Sequence, residues 1–518
     1  MEKYFNVAGP CQSDKHYMLP SGNRCKGIMP LIDQNQYFVI HAARQSGKTT
    51  LLLDLVRQLN GTGNYYALYC TLESAREIIE AEKGIPAIVR TLKRNIRFSP
   101  LLKKFGFALD ADFADFNNVL VESLAIFCSD LDKPLVILFD EVDCLSNGTL
   151  ISFLHQLRDG YANRAAIPFV HSVGLIGMRN IRDYKGKIRD ERETLGSASP
   201  FNIVTKTMTL ANFTEKEVEE LCTQHTEQTG QIFLPEALEK TIYYTQGQPW
   251  LVNAIAREII LEILESDYSE KINADHVEQA VETIIQQRHT HIDSLLERLK
   301  EDRVKKVVQP VITGKTSKFD PLDDDFQYVL DLGLLKKEQA SLKPSNQIYA
   351  GVITRYLSMG ARDSIDSHIY PVKGYYSGGK LNMKKLLTDF QQFWRENGAI
   401  WRERFQYKEA APHLVLMAFL QRIVNAGGRI SRELASETCR LDICIHYKEK
   451  RYPIELKLRY DNKTYKEGKE QLAGYMDSLG CDEGWLVVFD QRKSVSWKKK
   501  LFWKSDRRGG RQIHIVGC

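Results

Sequence analysis

The chain has 518 residues, 43% hydrophobic and 26% charged, an ordinary balance for a soluble globular protein of about three domains. No apolar run approaches the ~20 residues of a membrane span, the polar N-terminal stretch does not read as a secretory leader, and ten scattered cysteines without a CxxC pair or a metal-finger spacing favour reduced thiols in a cytoplasmic setting. The net charge of +5 is uneven: residues 361–518 hold 30 Lys/Arg against 19 Asp/Glu, whereas residues 1–360 hold 41 against 47, so the C-terminal part suits a polyanion.

Residues from about 30 to 205 alternate short apolar runs with helical patterns, as a parallel α/β sheet does. Within them, "YFVIHAARQSGKTTLLLDLVRQL" reads as a strand, a turn of small residues and an amphipathic helix. The turn is A-x-x-x-x-G-K-T, a phosphate-binding loop with Ala42 in place of the usual first glycine; Arg44, Gln45, Ser46, Gly47, Lys48, Thr49 and Thr50 complete it. Backbone N–H groups from Gln45 to Thr49 would cradle phosphate oxygens at the helix N-terminus. Lys48 would reach the β- and γ-phosphates of ATP, and the Thr49 hydroxyl would ligate Mg²⁺. About 90 residues further on, "KPLVILFDEVDCL" is a buried strand ending in Asp140 and Glu141. Asp140 would hold the Mg²⁺ water shell, and Glu141 would orient or deprotonate the attacking water. Another strand, "FVHSVGLIGMRN", ends at Arg179 and Asn180.

From about 211 to 290 the pattern turns helical, opening with a Thr-x-x-Glu capping box at Thr214 and Glu217 and containing Gly247-Gln248-Pro249. Over roughly residues 25–360 these stretches together resemble the P-loop ATPases of the AAA+/STAND type. The resemblance implies a nucleotide-sensing role for Arg179, a helical lid whose Gly-x-Pro signature places Pro249 against the nucleotide, and assembly as a homo-oligomer. Arg158, Arg164 and Arg192 are all candidates for an arginine finger acting on a neighbouring copy. Residues 291–360 read as helices, a Gly turn, a hairpin and another helix, a winged-helix-like unit. Its acidic "DPLDDDFQYVLD" would repel phosphate, which argues against a DNA contact, and the resemblance to STAND-type proteins implies an internal latch instead. The expected divisions are an ATPase core over 1–210, a lid over 211–290, the winged-helix-like unit over 291–360, a Gly/Ser/Tyr linker over 361–382 and a last domain over 383–518.

In that last domain, "RLDICIHYKEKRYPIELKLRYD" places Asp442 and Glu455 in two alternating strands joined by a tight turn. Glu455 and Lys457 share a face, and an antiparallel pair would bring Asp442 close to Glu455; two carboxylates and an ammonium on one sheet face suit a divalent cation. The spacing, with a helix before and a helix and strand after, resembles the PD-(D/E)xK nuclease core, a restriction-endonuclease-like α/β fold. The resemblance implies Mg²⁺ or Mn²⁺ held by Asp442, Glu455 and the Leu456 carbonyl, with Lys457 acting on the attacking water or on the phosphate. It also places Gln471 near the site and makes Glu409 the candidate for an added helical carboxylate. A buried ion pair of Lys457 with either carboxylate is the structural alternative. The C-terminal stretch interleaves Arg492, Lys493, Lys498–Lys500, Lys504, Arg507, Arg508 and Arg511 with Trp497, Phe502 and Trp503, as a nucleic-acid surface or a solvated edge hairpin would.

The expectation is an ATP-hydrolysing regulator controlling a metal-dependent nuclease, acting on nucleic acid (DNA foremost) with a protein trigger or partner and no membrane. Such architecture looks like prokaryotic defence or mobile-element machinery. The alternatives are a switch or scaffold that binds DNA without cutting it, and a DNA-remodelling motor.

Overall fold

The computed structural model describes the chain apart from residues 1, 108–114, 178–202, 288–289, 313–319, 321–322, 340, 364–371, 378–379, 405–410, 425–427, 432–442, 449, 460–463 and 493–494. The chain divides into two compact units, Met1–Gln287 with Leu330–Gly333 and Arg288–Val329 with Leu334–Cys518. No helix among the described residues is long and apolar enough to cross a membrane.

In the first unit the elements run α1 (Ile28–Asp33), β1 (Tyr37–His41), α2 (Lys48–Thr62), β2 (Tyr66–Thr71), α3 (Ala81–Phe98), α4 (Val119–Ser129), β3 (Leu135–Asp140), α5 (Asn147–Asn163), β4 (Ser172–Gly177) and β5 (Val204–Thr209). The strands form one sheet in the order β2-β3-β4-β1-β5, parallel at every pairing. Strands such as "LVILFD" are apolar at consecutive positions because both faces are covered. Alternation then divides them between two cores. Tyr37 and Val39 of β1 join the cluster under α3, α4 and α5, whereas Phe38 and Ile40 join the one under α1 and α2.

Four helices follow: α6 (Glu215–Thr229), α7 (Pro235–Thr245), α8 (Pro249–Glu258) and α9 (Ala274–Gln286). The capping box at α6 is formed as the sequence reads it: the Thr214 hydroxyl accepts from the Glu217 N–H and the Glu217 carboxylate accepts from the Thr214 N–H.

The second unit begins with α10 (Thr290–Leu299), α11 (Asp302–Ile312), α12 (Asp324–Asp331, as far as Val329), the hairpin β6 (Leu335–Glu338) and β7 (Ser341–Pro344), and α13 (Gln347–Asp363). A two-stranded turn, β8 (Tyr376–Ser377) and β9 (Lys380–Leu381), precedes α14 (Met383–Arg404), α15 (Ala411–Val424), β10 (Gly428–Ser431), β11 (Ile443–Tyr447), β12 (Lys450–Arg459), α16 (Thr464–Ser478), β13 (Glu483–Asp490), α17 (Trp497–Lys500), β14 (Phe502–Arg508) and β15 (Arg511–Gly517). The order is β10-β11-β12-β13-β15-β14, with β12, β13 and β15 parallel in the middle and antiparallel pairs at either side. Leu472, Tyr475 and Met476 of α16 pack on Leu486, Val488, Ile513 and Ile515 on one face. On the other, Phe390 and Trp394 of α14 meet Phe489 edge-on at 6.0 and 5.2 Å. Two features were not foreseen: the extra strand β10, and the insertion of β15 between β13 and β14. The second has a simple cause. Ile513, Ile515 and Val516 of β15 are apolar enough for the interior, whereas "FWKSDRR" of β14 carries charges that only an edge tolerates.

Candidate active site

Three strand ends build the nucleotide site. Beyond β1 the chain turns through Ala42–Gly47 into α2, β3 ends at the fully buried Asp140, and β4 ends at Gly177, whose carbonyl accepts the Ala42 N–H at 3.2 Å. Gln45 (φ 55°) and Gly47 (φ 87°) adopt left-handed backbone, which only glycine does without strain. The Ser46 hydroxyl closes the turn by donating to the Ala43 carbonyl at 2.8 Å. Lys48 is buried, and its ammonium donates to the carbonyls of Ala42 and Ala43, each at 2.9 Å. Two of its three protons are thereby placed, and the third is available to a phosphate oxygen. The Thr49 hydroxyl donates to Asp140 Oδ2 at 2.8 Å, and the Tyr69 phenol donates to the same oxygen at 3.1 Å. These are oxygen groups only, the type hard divalent cations take. Ala42 is buried; Arg44 and Gln45 are exposed; Thr50 accepts from the Cys11 N–H at 3.0 Å instead of turning to the loop. Pro249 is the buried first residue of α8. Arg179 lies outside the described residues.

A family model for the AAA-like domain matches residues 26–355, well over half of the chain. The chain belongs to the AAA-like domain family. No curated protein matches it. Among solved structures, it is similar to the Walker-type ATPase of Pyrococcus abyssi (14% identity, 67% of this chain and 99% of that one, TM-score 0.46). It is also similar to the Aeropyrum pernix ORC1 protein in complex with DNA (13%, 62% and 86%, TM-score 0.34) and to the Thermotoga maritima RuvB Holliday junction branch migration motor (14%, 63% and 90%, TM-score 0.32). The AAA-like domain is an ATP-binding domain of the P-loop ATPase type, built on a parallel sheet.

Electrostatics in the AAA-like domain centre on Glu141. It occupies a left-handed turn (φ 58°) at the end of β3. Burial raises its carboxyl above the usual range, the charges of Asp143 and Asp140 raise it further, and Lys48 and Arg76 oppose the rise. The Arg76 guanidinium lies 3.7 Å from Glu141 and 3.2 Å from Glu73. Burial pushes the Lys48 ammonium down, against the pull of Asp143, Glu141 and Asp140. Asp143 is a residue that sequence reasoning missed, although "DEVD" displays it. Its Oδ1 is buried with no hydrogen-bond partner among the described residues, close enough to Gly177 that a Cβ there would lie 2.9 Å away. Of the arginine-finger candidates, Arg164 donates to Asn35 at 2.8 and 3.0 Å and stacks on Tyr161, so its charge is engaged within its own unit.

In the second unit, Glu455 is 1% exposed on β12, and the Lys457 ammonium donates to its Oε1 at 2.6 Å. Both belong to the face that α16 covers, where a Cβ on Gly468 would meet Lys457 Cγ at 3.1 Å. Leu456 is buried and pairs with Val487 on β13. Gln471 on α16 is exposed. The β11–β12 register is described as far as Ile443↔Ile454; Asp442 and Glu409 lie outside the described residues. Among the described residues no three His, Cys, Asp or Glu side chains are grouped to hold a metal. In the basic tail, Lys498, Lys499, Lys504, Arg507 and Arg508 are exposed. Trp503 instead donates to Gln391 at 2.8 Å and Phe502 packs against the α16 cluster, so of the three aromatics these two are engaged in packing.

Proposed function

We propose that the chain is an ATP-driven switch governing a metal-dependent nuclease that cleaves phosphodiester bonds of nucleic acid, with DNA as the expected polymer. The observation that carries the reading is Glu455 with Lys457, two positions apart on an interior strand, a buried carboxylate beside an ammonium on the face under α16. On this reading Glu455, with Asp442, Glu409 and the Leu456 carbonyl, takes a hard cation, Lys457 orients water or offsets charge on the phosphate, and Gln471 assists. Lys498, Lys499, Arg507 and Arg508 bind the polyanion backbone. In the AAA-like domain, Thr49 and Asp140 fit Mg²⁺, which supplies charge neutralisation at the β- and γ-phosphates when bound. Glu141 then holds or accepts the proton of the attacking water, and Lys48 orients the phosphates. The functional divisions proposed are a core over 1–210, a lid over 211–290, a winged-helix-like latch over 291–360 and the effector over 383–518. Arg179 is proposed as the nucleotide sensor and Pro249 as the lid contact.

A second reading is a DNA-binding switch that does not cut, and the direct 2.6 Å Lys457–Glu455 ion pair favours it, since a buried pair can be purely structural. Plasmid incubated with Mg²⁺ or Mn²⁺ separates the two. The nuclease reading expects cleavage by the wild type and none by Glu455→Gln, with Lys457→Ala retaining DNA binding and losing most turnover. Retarded but uncut plasmid from the wild type would leave the binding-only switch.

A further inference from the structure

Against the phosphate loop lies a buried arginine that ATP hydrolysis as described above does not use. Arg24 ends a short 3₁₀ turn, Ser21–Arg24, and is 8% exposed. Its Nη2 donates to the Ser46 carbonyl at 2.7 Å. Its Nε and Nη2 donate to the Ala211 carbonyl, at 2.9 and 2.6 Å, in the connection from β5 to α6. The Arg24 carbonyl accepts the Ala211 N–H at 3.2 Å, and the guanidinium stacks over the Phe213 ring at 4.8 Å. Phe213 in turn donates its N–H to Gly247 at 2.8 Å, at the turn into α8. The next residue, Gln248, is oriented at both ends of its amide. Its oxygen caps α8 by accepting from Leu251 at 2.7 Å, and its nitrogen donates to the Gln45 carbonyl at 3.3 Å.

Two consecutive loop carbonyls are therefore held, Gln45 by Gln248 and Ser46 by Arg24. In a trans peptide the C=O of one residue and the N–H of the next point in opposite directions. Holding the Gln45 carbonyl fixes the Ser46 N–H, and holding the Ser46 carbonyl fixes the Gly47 N–H. These are the donors that a phosphate at the N-terminus of α2 needs. A guanidinium suits the task because its N–H donors sit in a rigid planar fork, so bonds to the Ser46 and Ala211 carbonyls fix its orientation as well as its position.

We propose that Arg24 and Gln248 are positioning residues for nucleotide binding: they orient the two peptide planes that present Ser46 and Gly47 to the phosphate, and they tie that orientation to the lid through Ala211, Phe213 and Gly247. Binding free energy at the loop then acts on the lid, and lid placement acts back on affinity by the same factor. Burial holds the guanidinium down to about 10, so it stays charged at neutral pH, with Glu217 supporting the charge. The proposal rests on ATP binding by the AAA-like domain and stands whether or not the second unit cuts nucleic acid.

The test is amide hydrogen exchange of the full-length chain with and without a non-hydrolysable ATP analogue, joined to nucleotide titrations of variants. In the wild type the analogue protects residues 45–50 and, with the same concentration dependence, 211–213 and 246–251. Arg24→Met weakens analogue binding roughly 10- to 100-fold, the worth of charged hydrogen bonds. Arg24→Lys recovers only part of that loss, and Arg24→Met with Gln248→Met costs less than the product of the single effects. A merely structural Arg24 would lower the melting temperature of the free protein while leaving affinity and the exchange pattern in place. Protection confined to 45–50 in the wild type overturns the proposal, and so does a folded Arg24→Met protein that binds within twofold of wild type. Should Arg24→Met fail to fold, the wild-type exchange pattern and Arg24→Lys decide alone.

Discussion

Glu141 sits in a field set by neighbours of opposite sign. Asp143 raises its carboxyl and Arg76, 3.7 Å away, lowers it. A carboxylate that works as a base is active only when ionised, so the acid limb of the hydrolysis rate follows its pKa. Asp143→Asn removes a raising charge, and the limb is expected at lower pH than in the wild type. Arg76→Ala removes a lowering charge, and the limb is expected at higher pH. Turnover measured against pH for the two variants checks the signs, and movement in the same direction would refute this description of the site. At Lys48 the expectation concerns affinity. Lys48→Ala should weaken ATP binding roughly 10- to 100-fold, the range for a charged hydrogen-bonding group. Glu141→Gln should bind ATP normally and hydrolyse it about 10²- to 10⁴-fold more slowly. Lys48, Thr49 and Asp140 could be picked out as candidates from the sequence because phosphate chemistry fixes their types within short motifs. Arg24 and Gln248 could not. Their partners are backbone carbonyls, which leave no mark on residue type, and 187 and 203 positions separate the ends of their longer bonds.

Among the elements, the turn from α7 into α8, packed on the connection from β5 to α6, depends on one glycine. Gly247 has φ 70°, and a Cβ there would lie 1.9 Å from the Phe213 carbonyl oxygen, so backbone would have to move. Gly63, the C-cap of α2, has a similar φ of 74° with nothing within 4 Å. Gly63→Ala should therefore lose only the left-handed backbone preference, about 1–2 kcal/mol, whereas Gly247→Ala should lose that and more through the clash. Thermal unfolding of the two variants gives the comparison, and equal losses would show that the close approach of Gly247 to Phe213 adds nothing to the cost. Elements were legible where the pattern is local: the buried run of β3, the α6 capping box, the β6–β7 hairpin between α12 and α13. Sheet neighbours were not. Placing β15 between β13 and β14 is decided by which strand can be buried on both sides, a tertiary contest that linear order does not record. The candidate residues Asp442, Glu409 and Arg179 belong to the sequence reading alone, since the structure does not describe them.

For the whole molecule, the charge asymmetry has a physical location in the exposed cations of α17 and β14. Replacing Lys498, Lys499, Arg507 and Arg508 with Glu should weaken nucleic-acid binding and flatten its dependence on salt, because each lost phosphate contact releases about one counterion fewer. An unchanged slope would make the tail a solubility device. The larger question is whether ATP governs the effector. A ligand shifts a two-state equilibrium only by its differential affinity, so hundredfold gating needs about 2.7 kcal/mol of preference for one state, within reach of a phosphate-and-cation site. The most direct measurement is plasmid cleavage by wild type, Lys48→Ala, Glu141→Gln and Glu455→Gln, each with and without ATP and in Mg²⁺ or Mn²⁺. Binding-driven gating predicts that Glu141→Gln cuts persistently with ATP, Lys48→Ala does not cut, and Glu455→Gln hydrolyses ATP without cutting. Equal cleavage by all four proteins, with or without ATP, would contradict it.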